Sequence, residues 1–441
     1  MLLEILLGRT LSIMLFISAI IFMSIRTETM DGEIVLGVFL SQIVRSILYT
    51  IIARDLQRIE QIWTYCSAIN SSLGFLFGMI MVSLNLHDPS EVANSSIEVA
   101  DNTWRAGSSE LNNTEESFIN DGGVSVDQRK MNAVRAYFEW MPIRQVEMDD
   151  NLRIWRNFEI GDLMDLIMLD TRQYDRSITD LYWNTDYVYE ISNDAGRTLM
   201  GSRQENWFYN KLSESSKRGA AWRIIGNQIV FSRINESFAY GNANPLDYDA
   251  WDGYQSNRNR TLSHLYDNNI NNTIFLAGDS HASWVSDLVW LDTHPYDPKT
   301  GSGSIGVEFA GSAVSSPCPY GQNITLANAN LYSSYLTASN QELQWQDLYY
   351  RGYYEISVAK DAVHASFFGM PTIAMRNGYE ISLANFTVLS GENKLQRMNG
   401  VVAGGLAESG SLKYGSISGG NVTNDTATGQ YFVSSYQVDT S

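Results

Sequence analysis

TIFLAGDSHASWVSDLVW, residues 273–290, decides the architecture of this chain. Thr273 to Ala277 is a mostly apolar run of strand length, and Gly278 permits a sharp backbone turn at its end. Asp279 and His281 come next, at the carboxyl end of a strand, where α/β sheets place their ligands. In extended chain, residues i and i+2 face the same side. The spacing therefore predicts that Asp279 and His281 point into one site while Ser280 turns away. A carboxylate with an imidazole suits iron, manganese or zinc, whereas calcium asks for more oxygens. The same letters also fit a capped strand end with a buried, hydrogen-bonded histidine.

Outward from this stretch, strands and helices alternate. AWRIIGNQIVFS (221–232) and SIGVEFAG (304–311) read as buried strands. A capping box, Ser202-x-x-Glu205, opens a helix whose inner face carries Trp207, Phe208 and Leu212. LRIWRNFEI (152–160) and LMDLIMLDT (163–171) flank Gly161-Asp162 as a hairpin would. A second capping box, Ser125-x-x-Gln128, begins a helix with Met131, Val134, Phe138 and Met141 on one side, ended by Pro142. This alternation predicts a layered α/β domain.

The chain has 441 residues, of which 44% are hydrophobic and 12% aromatic, enough for a large core. Its formal charge of −19, with no basic stripe, excludes a nucleic-acid partner. Two cysteines, Cys66 and Cys318, with no Cys/His cluster, exclude a structural zinc site and leave a single disulfide open. Ten N-x-S/T sequons spread from Asn70 to Asn424 point to a secretory-pathway glycoprotein, membrane-anchored or extracellular.

Residues 1–97 differ in kind. Leu11 to Ile25 is a hydrophobic run between Arg9 and Arg26 that reads as a signal-anchor; Val35–Ile52 and Leu73–Leu86 are shorter or interrupted runs that read as hydrophobic helices. They offer membrane association, or cover for exposed strand edges. After residue 396 the chain is a Gly/Ser/Thr-rich tail.

Five separated motifs carry a family resemblance: R-x-F-x-x-G-x-L-x-D-L-I-x-L-D-T-R-Q-Y from Arg156, G-S-R-Q-E-x-W from Gly201, D-x-W-D-G-Y from Asp249, G-D-S-H-A-S-W from Gly278 and E-F-A-G-x-A-V-S-S-P from Glu308. In order and spacing they resemble the later two-thirds of the catalytic domain of PhoD-like alkaline phosphatases of the fungal type, over residues 98–395. The resemblance implies a metallophosphatase fold, a layered β-sandwich flanked by helices. It implies hydrolysis of phosphate mono- or diesters with two or three metal ions, iron and calcium among them. It matches Asp279 and His281 to the last metal motif, with His281 the candidate catalytic residue, and Asn102 to the asparagine of an earlier one. Arg172 and Asp252 lie in family motifs and become candidates for contact with the substrate phosphate, while Arg172 taken alone reads rather as a structural bridge to Asp170 or Asp252.

The pattern breaks before Asn102. Where the family carries Asp-Asp-His-Glu, this chain has Ser95, Ser96, Ile97 and Glu98, so it reads as incomplete on its N-terminal side relative to the family. Asn102, Asp279 and His281 are too few for two ions, and weak or absent turnover is expected. A membrane-anchored glycoprotein that binds phosphate-bearing ligands without cleaving them is the alternative. Gly161-Asp162-Leu163-Met164-Asp165 copies the first G-D-x-x-D metal signature of such enzymes, but it falls after Asn102 and inside the hairpin. Asp162 reads as a turn residue and Asp165 as a structural hydrogen-bond acceptor.

Overall fold

The computed structural model describes residues 153–416, apart from 173, 175, 181–183, 242–244, 375–378 and 406, together with fragments at 25–26, 34–36, 104–105, 108–109, 422–427 and 430–433. The early fragments are β1 (Ile25–Arg26), β2 (Ile34–Leu36), and a hairpin of β3 (Trp104–Arg105) and β4 (Ser108–Ser109). Next come β5 (Arg156–Ile160), β6 (Met164–Met168), β7 (Trp222–Gly226), β8 (Thr273–Ala277), β9 (Ser283–Leu288), β10 (Gly306–Ala310) and β11 (Leu343–Asp347). β12 (Gly352–Val358), β13 (Ala362–Gly369), β14 (Ile381–Leu389), β15 (Ser411–Leu412) and a last hairpin, β16 (Val422–Asp425) with β17 (Gln430–Val433), complete the strands.

They form two main sheets. The large one runs β15-β11-β9-β10-β8-β7-β6-β5, and the small one β1-β2-β12-β13-β14. At the centre of the large sheet β6, β7, β8 and β10 are parallel, so their carboxyl ends share one edge. Every residue of β7, β8 and β10 is buried, as parallel strands covered on both faces require. β12 instead alternates buried and half-buried residues, the mark of a sheet with one packed face.

The packed face of the small sheet (Ile356, Val363, Phe367, Phe386) meets Trp222, Ile224, Phe309 and Trp345 of the large one in a single apolar cluster. Burying each such side chain contributes about 1.5–3 kcal/mol. The Trp222 indole N–H donates to Ala359 O at 2.6 Å, a polar tie between the sheets.

Helices cover the other face of the large sheet. In chain order they are α1 (Thr185–Ile191), α2 (Gly201–Arg218), α3 (Ser237–Tyr240), α4 (Gln255–Asp267) and α5 (Leu326–Ser339), with a 3₁₀ turn at Trp251–Tyr254. Phe208 and Leu212 of α2 and Leu262 and Leu265 of α4 pack on Ile225 and Phe275. α5 lays Ala329 and Leu336 against Ala277, Trp284 and Ala310. The layered α/β expectation thus holds in the described part.

Two expectations change. Ser202 does not cap α2: the helix begins at Gly201, and Thr198 Oγ1 takes the Gly201 N–H at 2.9 Å in its place. Gly219, at φ +80°, closes the other end in the left-handed conformation glycine tolerates. Ile34–Leu36, at the head of a run read as helix, is a strand that pairs antiparallel with β12. The rest of that hydrophobic N-terminal segment, with the helix expected from Ser125, lies outside the described residues. Among the described residues no helix is long and apolar enough to cross a membrane.

Beyond residue 396, Val402, Ala407 and Leu412 join the inter-sheet core, and β15 pairs along β11. Cys318 is a buried free thiol.

The G-D-x-x-D copy sits on the β5–β6 hairpin, at the end of β6 opposite Asp170. Gly161 turns the chain at φ +56°, and Asp162 is exposed and paired with Lys360 at 2.6 Å, which lowers its carboxyl from the usual range. Asp165 is buried and accepts from Arg218 at 2.6 Å and Asn157 at 3.3 Å. Both are structural contacts, as the turn reading expects.

Candidate functional site

The loops beyond the carboxyl ends of β6, β7 and β8 are pinned by buried amides. Asp170 N donates to Gln204 Oε1 at 2.7 Å, and Gln204 Nε2 donates back to Asp170 O at 2.8 Å. Thr171 N donates to Gln228 Oε1 at 2.8 Å, while Gln228 Nε2 donates to Leu169 O at 2.6 Å. Gly278 N donates to Gln228 O at 3.1 Å, so one glutamine ties the β6, β7 and β8 loops together. Fully satisfied buried amides fix a loop more firmly than apolar packing does.

Arg172 stands on this support with its side chain 8% exposed. One guanidinium nitrogen reaches Asp249 Oδ2 at 3.0 Å and the other Asp279 Oδ1 at 3.4 Å. Arg176, almost fully buried, takes the second oxygen of Asp249 at 2.8 Å, and its Nε donates to Tyr254 OH at 3.0 Å. Burial alone would raise the Asp249 carboxyl, but Arg172 and Arg176 together pull it down to about 2. Asp247 keeps an exposed edge, yet the protein packed around it and the charges of Asp249 and Asp279 raise its carboxyl to about 7.

Asp279 and His281 are not in extended chain. Their φ angles are +68° and +56°, left-handed for both, so the i, i+2 argument does not apply. They are neighbours nonetheless, because the Asp279 charge acts on the His281 ring. Ser280, half-buried, turns toward Trp284, and its hydroxyl accepts from that indole at 2.7 Å. His281 Nδ1 lies 3.2 Å from Pro317 O. A ring nitrogen facing a carbonyl must be the protonated one, which leaves the Nε2 lone pair for a ligand. Burial lowers the imidazole from its usual value and favours that neutral form. The histidine is therefore hydrogen-bonded as the structural reading expects, in the tautomer that a metal ligand needs.

Arg351 holds the loop from below. It is 5% exposed, and it donates to His281 O at 2.9 Å, Ser316 O at 3.1 Å and Leu348 O at 2.5 Å.

Asp252 does not face this site. It is 2% exposed, bonded to Arg258 and to the Ile234 N–H at 3.4 Å, so its candidacy for phosphate contact is withdrawn. The other aspartate of D-x-W-D-G-Y, Asp249, faces Arg172 instead. Gly253 shows why the motif needs its glycine: a Cβ there would sit 2.0 Å from Tyr248 O. Asn102 lies outside the described residues.

Asp279 and His281 suit one edge of a single ion. Among the described residues no group of three or more His, Cys, Asp or Glu side chains could hold a metal, so these residues alone do not make a two-metal centre.

Glu236 adds a carboxyl nearby, with Tyr320 OH donating to it at 2.5 Å. Burial, then the charge of Asp247, pushes it up to about 8. A folded-state value above the unfolded 4.5 contributes stability that is complete below about pH 4.5 and lost as pH rises through 8. Glu236→Gln should therefore flatten the fall in melting temperature between pH 5 and pH 8. Equal slopes in variant and parent would contradict it.

An α/β sandwich with a carboxylate, an imidazole and an anion-facing arginine at its parallel strand ends is the class that fold and site define. The chain belongs to the PhoD-like phosphatase family, whose profile matches residues 97–367. It is 30% identical over 309 residues to alkaline phosphatase D of Bacillus subtilis (strain 168), covering 68% of this chain and 49% of that protein. A solved structure described as PhoD superposes with a TM-score of 0.51 at 27% identity, over 68% of this chain and 52% of that one. A purple acid phosphatase from yellow lupin seeds aligns at a TM-score of 0.37 and 11% identity, too loose to carry weight. This chain thus spans about half the length of the relatives it matches.

Proposed function

We propose that this chain binds a phosphoric ester beside Asp279 and His281 and hydrolyses it only weakly in the presence of metal. The observation that carries this is Arg172, held on Asp249 and reaching Asp279. A guanidinium there can turn its fork to phosphate oxygens and neutralise them. A divalent or trivalent ion such as calcium or iron, bound at the Asp279–His281 edge, would supply Lewis-acid polarisation and a more acidic water. Each ion of a two-metal centre needs about three or four protein ligands. Ser95, Ser96 and Ile97 stand where the family resemblance puts acids and an imidazole, which is why weak turnover is the proposal.

The test is hydrolysis of a generic phosphate monoester and diester with added calcium, iron or manganese, alongside ligand-induced melting shifts. Slow turnover lost in Asp279→Ala upholds the proposal. Robust turnover lost in that variant upholds hydrolysis and refutes its weakness. A melting shift without turnover leaves the binding-only alternative, and neither response overturns both.

A secretory location is proposed as well, supported by the exposed sequon asparagines Asn271 and Asn323. Expression in secretory cells should yield a chain whose mass falls on treatment with an N-glycosidase; an unchanged mass would rule out glycosylation.

A further inference from the structure

A cavity of about 330 Å³ opens on the helix-covered face of the large sheet, between α4 and the turn at 288–293. It lies toward the opposite end of the sheet from Asp279. Leu288, one of its walls, pairs with Gly306 at the start of β10, whereas Asp279 follows the end of β8. Ser232, Arg258, Asn259, Leu262, Trp290 and Glu342 line it.

Two of these side chains are incomplete. Glu342 is 3% exposed, and its Oε1 has no hydrogen-bond partner among the described residues. The hydroxyl of Ser232, a residue 7% exposed, has only the Glu308 carboxylate beside it, which leaves its lone pairs open. A buried polar atom without a protein partner is costly, and a charged one more so, so such atoms point to a bound water or another ligand.

The neighbouring cations are engaged elsewhere. Arg258 bonds Asp252, Lys413 donates to Thr337 O, and Arg233 at the rim pairs with Asp292 at 2.9 Å. Glu308, beneath the Ser232 segment, spends its two oxygens on the Phe231 and Ser232 N–H groups at 2.7 and 2.8 Å. Among the charged residues of the lining, Arg233 and Asp292 pair with each other and Arg258 pairs with Asp252, which leaves Glu342 as the charge without an ion-pair partner among the described residues.

We propose that this cavity is a second ligand site that takes a small organic ammonium. Its N–H donors would meet Glu342 Oε1 and Ser232 Oγ, and its carbon body would lie against Leu262 and Trp290. The partly buried indole adds a face that attracts cations. A metal ion fits less well, since among the described residues no three ligating side chains converge. The volume is at the low end for small-molecule sites, which restricts the ligand's size. Burial pushes the Glu342 carboxyl up to about 7 against the pull of Lys413 and Arg258, so a cationic partner would relieve an unfavourable buried charge.

The experiment titrates ethanolamine hydrochloride into the full chain by calorimetry at pH 8, with ethylene glycol as the neutral isostere. Saturable ethanolammonium binding, weakened at least tenfold in Glu342→Gln and unchanged in Asp279→Ala, is the expected result. Ser232→Ala, which removes a single hydroxyl, should weaken binding about threefold and serves if Glu342→Gln does not fold. No saturable binding to the parent chain, undiminished binding to both cavity variants, or equal binding of ethylene glycol would overturn the proposal.

Discussion

Arg172→Ala is expected to weaken binding of a phosphate monoester by roughly 30- to 1000-fold, equivalent to about 2–4 kcal/mol. The loss has two sources. The guanidinium that would face the phosphate is gone, and Asp279 is left with its charge exposed to an incoming anion. Asp249 keeps Arg176 as partner, so the fold should survive. Arg172→Lys should recover only part of the affinity, because a point charge cannot bridge two oxygens as a planar fork does. Calorimetric titration with the monoester checks this. Unchanged affinity in Arg172→Ala would remove Arg172 from the site.

Arg351→Ala should lower the melting temperature by about 6–20 °C. The residue is buried and bonds three backbone carbonyls, and its charge lies near fully buried Asp347. Leaving buried carbonyls without their donor costs about 1–3 kcal/mol each, so about 3–5 kcal/mol in all once water reaches some of them. For a domain of this size each kcal/mol corresponds to about 2–4 °C. Scanning calorimetry reads the shift, and a change within a degree or two would mean that water replaces the guanidinium at no cost. The Asp279–His281 loop should loosen in the same variant, since Arg351 holds His281 O.

These two arginines differ in how visible they are in the sequence. Arg172 stands beside an apolar strand in a quoted motif, so its location could be read directly. Arg351 sits in LYYRGYY, where nothing distinguishes a buried clamp from a surface cation. β7, β8 and β10 are legible because strands buried on both faces are continuous apolar runs. The small sheet has its own signal in the alternation of Tyr353 to Val358, but it lies apart from the motifs that carry the family resemblance.

The two aspartates of D-x-W-D-G-Y could not be told apart by letter. A 3₁₀ turn that buries Trp251 and Asp252 presents Asp249 to the site, and no spacing rule anticipates that turn. The local geometry at Asp279 and His281 was likewise hidden. Left-handed backbone is uncommon at any non-glycine residue, though aspartate and histidine tolerate it better than most, and two such residues so close together are held there by what surrounds them.

The order in which the two sheets appear along the chain bears on how the protein is made. Seven of the eight strands of the large sheet are encoded by residue 347, while β12 to β14 occupy 352–389. A ribosome therefore releases Trp222, Ile224, Phe309 and Trp345 well before the apolar face that will cover them. During that interval the nascent chain carries an open hydrophobic sheet, the kind of surface that aggregates or recruits a chaperone. Truncation at any point between β11 and β14 should leave the chain in that state permanently, so synthesis is secure only once the last quarter of the polypeptide has emerged.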